Sequence, residues 1–341
     1  MKKHLLPVIL GLAGAAMTAG VASAATLDSV KAKGFVQCGV NTGLPGFAAP
    51  DDKGNWTGLD VDYCKAVAAV VFGDSTKVKF TPLSAKDRFT ALQSGEIDML
   101  SRNTTWTMSR DTQMGLTFAG VNYYDGQGFI VKKALGVDSA LKLDGASICV
   151  QSGTTTELNL ADYFAGNNIK FTPVVFEKVD EVNAAYEAGR CDAMTTDASG
   201  LYAYRLTFQQ PDAHIVLPEI ISKEPLGPVV RAGDVQWLNI VKWTHDALLE
   251  AEEYGITSKN VDELKKSSTN PNVKRILAAD DSKFGEAMGV PNTWAYTLIK
   301  QMGNYGEIFD RNVGAGSPLK IERGLNALWS KGGLQYSPPI R

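Results

Sequence analysis

Carboxylate recognition is the chemistry that the stretch from Gly95 to Asp111 offers most directly. Arginine presents a planar fork of donors that pairs two-to-two with a carboxylate, and neighbouring hydroxyls and amides can satisfy its remaining lone pairs. Asn103, Thr105 and Arg110 stand just beyond Ile97–Leu100, a short apolar run bounded by Gly95 and by a polar loop. Such a run reads as a buried strand, and the carboxyl ends of strands are where open α/β sheets bind ligands. The competing reading makes Arg110 a helix cap or a surface partner of Asp111, because most arginines are solvated. Arg102 lies in the same loop and could reach a distal carboxylate or amide of a ligand, or else point to solvent.

Two further groups complement this set. Gly153 is followed by Thr154, Thr155, Thr156 and Glu157 at an expected helix N-terminus, a natural seat for an anionic group and equally the pattern of a capping box. Asp197 closes another expected strand, where its charge can neutralise an ammonium or its side chain can cap the helix over 198–206. Groups for a carboxylate (Arg110, Thr105, Thr155) together with an acid for an ammonium have one common denominator, an α-amino acid.

The elements that must hold these groups follow from periodicity. Phe35–Val40, Val78–Leu83 and Ile97–Leu100 read as strands, separated by a helix that Asp60 would cap, with Val61, Cys64, Val67 and Val71 inward, and by one opened by Ser84–Asp87 and closed by Gly95. Strand, helix, strand, helix, strand is a parallel, doubly wound half. The plan then repeats: Ser147–Val150, the Gly153 helix, Val174–Phe176, a helix over Val182–Ala188, and Ala188–Asp197 echoing Ser94–Leu100. Extended runs at Tyr123–Val131, with Gly126 and Gly128, and at Leu217–Arg231, with three prolines, carry the chain between the halves. The last stretch, helical from a stripe of Trp237, Val241, Thr244 and Leu248 onward, is expected to return and cover the first half. The expected domains are 25–122 plus 225–341 as one lobe and 123–224 as the other, with the two crossings as a hinge.

Length of 341 residues suits two domains, and 44% hydrophobic with 21% charged residues is a globular composition. Lys2 and Lys3, an apolar run from Leu5 to Ala16, and Ala22-Ser23-Ala24 form an export signal over 1–24, with Ala25 starting the mature chain. Its removal takes the basic residues from 34 to 32 against 37 acidic ones, a net charge of −5. Scattered basic residues argue against nucleic acid. The four cysteines, Cys38, Cys64, Cys149 and Cys191, suggest disulfides in an exported chain, with three pairings open to composition alone. None has zinc-ligand spacing, so neither metal nor cofactor is expected. The sequon at Asn103-Thr104-Thr105 is better explained as a site loop than as a glycan acceptor.

Gly58-Leu59-Asp60-Val61-Asp62, Ile97-Asp98 with Thr104-Thr105 and Arg110, Gly153-Thr154-Thr155 with Glu157, and Asp192-Ala193 with Asp197 together resemble the periplasmic solute-binding proteins of polar-amino-acid ABC importers, bacterial extracellular solute-binding protein family 3. The general L-amino-acid-binding type, with its longer C-terminal part, is the nearest likeness. The resemblance implies two α/β lobes of the type II periplasmic-binding-protein kind joined by a two-strand hinge, and a monomeric periplasmic carrier that passes L-amino acids to a membrane permease. It also implies an α-carboxylate held at Arg110 with help from Thr105 and Thr155, and an α-ammonium held at Asp197. The chain departs from the pattern at Leu44, where relatives carry an aromatic lid, and at Arg102, where many have a small residue; both leave the side-chain pocket loosely specified. Two rivals share the scaffold: a cyclohexadienyl dehydratase-like enzyme, which needs a general acid, and a receptor's sensing domain, which needs a membrane helix. The expected disulfides are Cys38–Cys64, strand to covering helix, and Cys149–Cys191, between neighbouring strands.

Overall fold

The computed structural model describes residues 25–341; the expected export signal and its cut after Ala24 fall outside the described residues. The first lobe opens with α1 (Thr26–Lys33), β1 (Val36–Asn41) and a small hairpin, β2 (Ala49–Pro50) with β3 (Trp56–Thr57). It continues through α2 (Leu59–Phe72), β4 (Val78–Leu83), α3 (Arg88–Ser94), β5 (Met99–Leu100), α4 (Met108–Gln113) and β6 (Leu116–Phe118). After β7 (Tyr123–Asp125), the second lobe runs from β8 (Gln127–Lys132) through β9 (Ala146–Gln151), α5 (Thr155–Gly166), β10 (Phe171–Phe176), α6 (Val179–Glu187), β11 (Ala193–Asp197) and α7 (Ala198–Arg205) to β12 (His214–Val216). β13 (Glu224–Leu226) and β14 (Val229–Arg231) bring the chain back, and α8 (Val235–Glu253) leads into α9 (Val261–Ser267), α10 (Pro271–Ile276), α11 (Phe284–Met288), α12 (Trp294–Met302) and α13 (Tyr305–Asn312).

The two sheets have the same plan, β4-β1-β5-β14-β6 and β10-β9-β11-β8-β12. They are mixed, not all parallel as the sequence pattern implied: β14 runs antiparallel to β5 and β6, and β8 antiparallel to β11 and β12. The reversed strand in each sheet is the one that follows a crossing. β1, β4 and β5 end at the side facing the other lobe, so a strand arriving from the crossing starts at that end and must run the opposite way. The crossings pair with each other as a two-stranded antiparallel ladder, Asp125 opposite Glu224 and Tyr123 opposite Leu226. Just after it, a Cβ on Gly227 would lie 1.9 Å from the carbonyl oxygen of Gly120, so only glycine allows the two chain segments to pass.

Nearly every residue of α2 is buried, and a helix apolar on all sides must be covered on all sides. One side rests on the first sheet; α8, α12 and α13, from the C-terminal stretch, cover the rest. Trp237, Val241, Thr244 and Leu248 are all buried on α8, as their spacing predicts. Cys38 on β1 bonds to Cys64 on α2, with Cα atoms 6.0 Å apart, and Cys149 on β9 bonds to Cys191, with 5.7 Å. Cys191 sits in the turn before β11 and not on a strand. Both pairings are those expected.

Candidate functional site

The carboxyl ends of β1, β4, β5, β9 and β11 converge on a cleft between the lobes. Its wall includes Leu44, Arg102, Asn103, Thr105, Thr154, Thr155 and Asp197, all picked out by sequence, and Asn41, Arg88, Gln151 and Tyr204, which were not.

The loop after β5 is shaped by a residue assigned another job. Asp60 does not cap α2, whose N-cap is Gly58. Instead its buried carboxylate accepts from Ser101 Oγ at 3.1 Å and from the Asn103 amide at 2.7 Å. That grip holds Asn103 at φ +31°, a left-handed conformation that asparagine tolerates better than most residues. The far end of the loop is stitched to the returning crossing: Trp106 N donates to the Pro225 carbonyl, and Gly227 N to the Thr104 carbonyl. Trp106 turns away from the cleft and stacks on Phe118, ring centroids 5.4 Å apart.

Arg110 is neither a surface residue nor a partner of Asp111. It is 7% exposed, its Nη1 donates to the Thr105 carbonyl at 2.9 Å, and its guanidinium lies 5.1 Å from the centre of the Phe89 ring. It stands behind Thr105, while Arg88 and Arg102 line the cleft itself. Arg102 donates from Nε to the Leu83 carbonyl at 3.0 Å, and Arg88 from Nη1 to Thr104 Oγ1 at 3.3 Å. Arg102 Nη2 and Arg88 Nε are buried with no hydrogen-bond partner among the described residues. Burial, followed by mutual repulsion, drives the Arg88 guanidinium well below its ordinary pKa; burial with repulsion from Arg110, opposed by Tyr204, Asp60 and Asp197, brings Arg102 to about 10. Three crowded, desolvated cations, two of them carrying unpaired donors, favour any anion that enters.

The second lobe supplies the opposite pole. Asp197 ends β11, and its side chain caps no amide of α7. Burial, then the charges of Asp125 and Glu224, raise its carboxyl well above the ordinary range, with the Asn103 amide and Arg88 pulling the other way. Asp125 is raised to about 6, chiefly by burial. Thr154 is the N-cap of α5: its hydroxyl accepts from Glu157 N at 3.1 Å and donates to the Gln151 carbonyl at 2.7 Å, while Glu157 Oε2 accepts from Gly153 N and not from Thr154 N, so the capping box is only half formed. Thr155, one residue on, faces the cleft. Among the described residues no group of three His, Cys, Asp or Glu is placed to hold a metal ion, and no helix is long and apolar enough to cross a membrane.

Arg88 follows directly on the turn after β4, so the rule that singled out Asn103, ligands at strand carboxyl ends, applied to it equally. Glu224 lies in a proline-rich extended segment with no periodic signal, and only the fold brings it to the site.

Two sheets of one plan, a two-strand crossing and a charged cleft between them are the features of a solute-binding protein. The chain belongs to the bacterial extracellular solute-binding proteins, family 3, whose pattern it matches over residues 36–261. It is 67% identical, over the whole of both chains, to the general L-amino acid-binding periplasmic protein AapJ of Rhizobium johnstonii. It is 55% identical, over 96% of each chain, to the glutamate/glutamine/aspartate/asparagine-binding protein BztA of Rhodobacter capsulatus. Among solved structures, an ABC transporter periplasmic binding protein from Brucella ovis with glutathione bound superposes with a TM-score of 0.92 at 65% identity, over 94% of this chain and 100% of that one.

Proposed function

We propose that this protein captures L-amino acids in the cleft and delivers them to the membrane permease of an ABC importer, as a monomeric periplasmic carrier without a catalytic step, after an export signal is cut following Ala24. The observation that carries the reading is the division of the cleft into two poles: Arg88 and Arg102 in the wall of the first lobe, with Arg110 directly behind Thr105, and Asp197 on the second. An α-amino acid is the small zwitterion that fits both. Arg110 takes the α-carboxylate through the guanidinium nitrogens not engaged by Thr105, and Asp197 takes the α-ammonium. The lobes are 25–122 with 225–341, and 123–224, and they close about the ladder of β7 and β13.

The groups at the two poles address the part common to all amino acids, so the protein accepts a broad range. Unpaired donors on Arg88 and Arg102 tilt it towards acidic side chains and amides. The bound glutathione of the Brucella ovis relative and the four ligands in the name of the Rhodobacter capsulatus relative support this breadth, because each molecule carries a free α-amino-acid head on a polar body.

Calorimetry against the twenty L-amino acids and their D-isomers tests the reading, with several L-forms expected to bind and glutamate and aspartate among the tightest. Scattering at saturation should show a smaller radius of gyration than without ligand. Binding confined to one amino acid would remove the breadth claim, and no binding by any would remove the function.

A further inference from the structure

A second pocket, of about 330 Å³, lies away from the cleft and shares no wall residue with it. One side is a face of α8 that carries Leu238, Lys242 and Asp246 at four-residue spacing, and the other is the strip 118–121 that leads into β7. Trp106, Tyr124 and, from the C-terminal tail, Tyr336 add aromatic rings to the wall. Trp106 and Tyr336 stay exposed there, an aromatic surface bordered by charge of the kind that marks an interaction site.

Asp246 is 5% exposed, and its Oδ2 is buried with no hydrogen-bond partner among the described residues. Lys242 stands one turn before it on α8, yet none of the ion pairs among the described residues includes Asp246. Burial raises its carboxyl to about 7, with Lys242 opposing the rise and Glu250 adding to it. His245, the next residue back on α8, brings no charge: its Nδ1 is bonded to the Tyr63 hydroxyl at 2.8 Å, and burial lowers it to about 4. A carboxylate left without a partner out of water is costly, and a cation that enters beside it supplies the partner and draws the acid into its ionised form.

One acid among aromatic rings selects an organic cation. A divalent metal ion needs several oxygen ligands, and Asp246 is the one carboxylate in the wall. Ring faces attract ammonium and guanidinium groups, and the volume falls in the range of small-molecule sites, roughly 300–1,000 Å³. We propose that this pocket is a second binding site, for a small amine or guanidine carried on an aromatic or apolar body, with the cationic head against Asp246 and the body against Trp106 and Tyr336. The site stands apart from the cleft and goes beyond the function proposed for it.

The test titrates tryptamine into the protein in the presence of saturating glutamate, by calorimetry, beside two molecules of the same shape. Tryptophol carries a hydroxyl in place of the ammonium, and indole-3-propionate a carboxylate. Tryptamine should bind once per chain and roughly tenfold or more tighter than tryptophol, as a charge-assisted contact requires, and indole-3-propionate should not bind measurably. Asp246→Asn keeps the shape and removes the charge, so it should lose that preference while its affinity for glutamate stays that of wild type. Tyr336→Ala, at an exposed ring, should weaken tryptamine about threefold. No binding of tryptamine, equal binding of tryptamine and tryptophol, or the full preference retained in Asp246→Asn overturns the proposal. So does competition between tryptamine and glutamate, which would place tryptamine in the cleft. Should the Asp246 variant fail to fold, an unchanged tryptamine affinity in Tyr336→Ala overturns the site instead. A wild type that binds no amino acid removes the cleft's function, and the tryptamine titration then decides this proposal by itself.

Discussion

Replacing Arg102 by methionine should move stability and binding in opposite directions. Methionine keeps most of the stem of this residue, which is 2% exposed, and removes the guanidinium, whose pKa burial has lowered to about 10. A fall of that size corresponds to roughly 3 kcal/mol of unfavourable burial and repulsion in the charged form, at 1.36 kcal/mol per unit. The substitution recovers that amount, less about 1 kcal/mol for the hydrogen bond to the Leu83 carbonyl. The ligand-free variant should therefore be as stable as wild type or more so, by up to about 2 kcal/mol, in denaturant unfolding. Binding should change the other way. The unpaired Nη2 is available for a charge-assisted bond to a ligand's distal carboxylate, worth about 1.5–3 kcal/mol. Glutamate should thus bind roughly tenfold to 150-fold more weakly to the variant, while alanine, which has no distal group, should change by less than about threefold. Calorimetry with glutamate, glutamine and alanine supplies the readout. Equal losses for glutamate and alanine would show that Arg102 acts on the common head, and a destabilised ligand-free variant would refute the account of its burial.

Arg110→Ala should weaken binding of every amino acid at least tenfold, since truncating one member of a buried charged pair costs about 2–5 kcal/mol, and Arg110→Lys should not restore it, because a point charge cannot reproduce the fork; calorimetry within twofold of wild type for either would remove the assignment. Asp197→Asn should lower affinity for glutamate more than for 2-oxoglutarate, which lacks the ammonium. In wild type the raised carboxyls of Asp197 and Asp125 lose charge as pH falls, the latter around pH 6, so affinity should drop on acidification, and that slope should flatten in Asp197→Asn. Asp246, buried on α8 with Oδ2 unpaired among the described residues, is raised by burial from 3.8 to about 7. A raised acid favours folding while it is protonated, so this contribution is complete below about pH 4 and is lost as pH rises through 7. Asp246→Asn should accordingly stabilise the protein by up to about 4 kcal/mol at pH 8 and hardly at pH 4, measured as the difference in thermal midpoint from wild type at each pH; a variant less stable than wild type at pH 8 would count against it.

The sequence by itself determined what depends on local order. Alternation and helical spacing placed β1, β4, α2 and α8, turn residues placed Gly95 and the cap at Thr154, and the rhythm of Ser94–Leu100 against Ala188–Asp197 announced two halves of one plan. The same local signals reached the two poles of the cleft, because loops at strand ends are legible once the strands are. Tertiary structure decided everything that turns on which distant groups meet. The reversal of β8 and β14 follows from the direction in which a crossing enters a sheet, which no short window contains. Asp60 reads as a cap by its position beside a helix start, yet its carboxylate spends itself on Ser101 and Asn103, some forty residues away. Arg110 stands buried behind Thr105, and Arg88 and Arg102 line the cleft beside it. Glu224 meets Thr105 and Thr155 across 119 and 69 residues, and its carboxylate accepts from both hydroxyls. A residue's type fixes which bonds it can make; only the fold fixes which of them are already made.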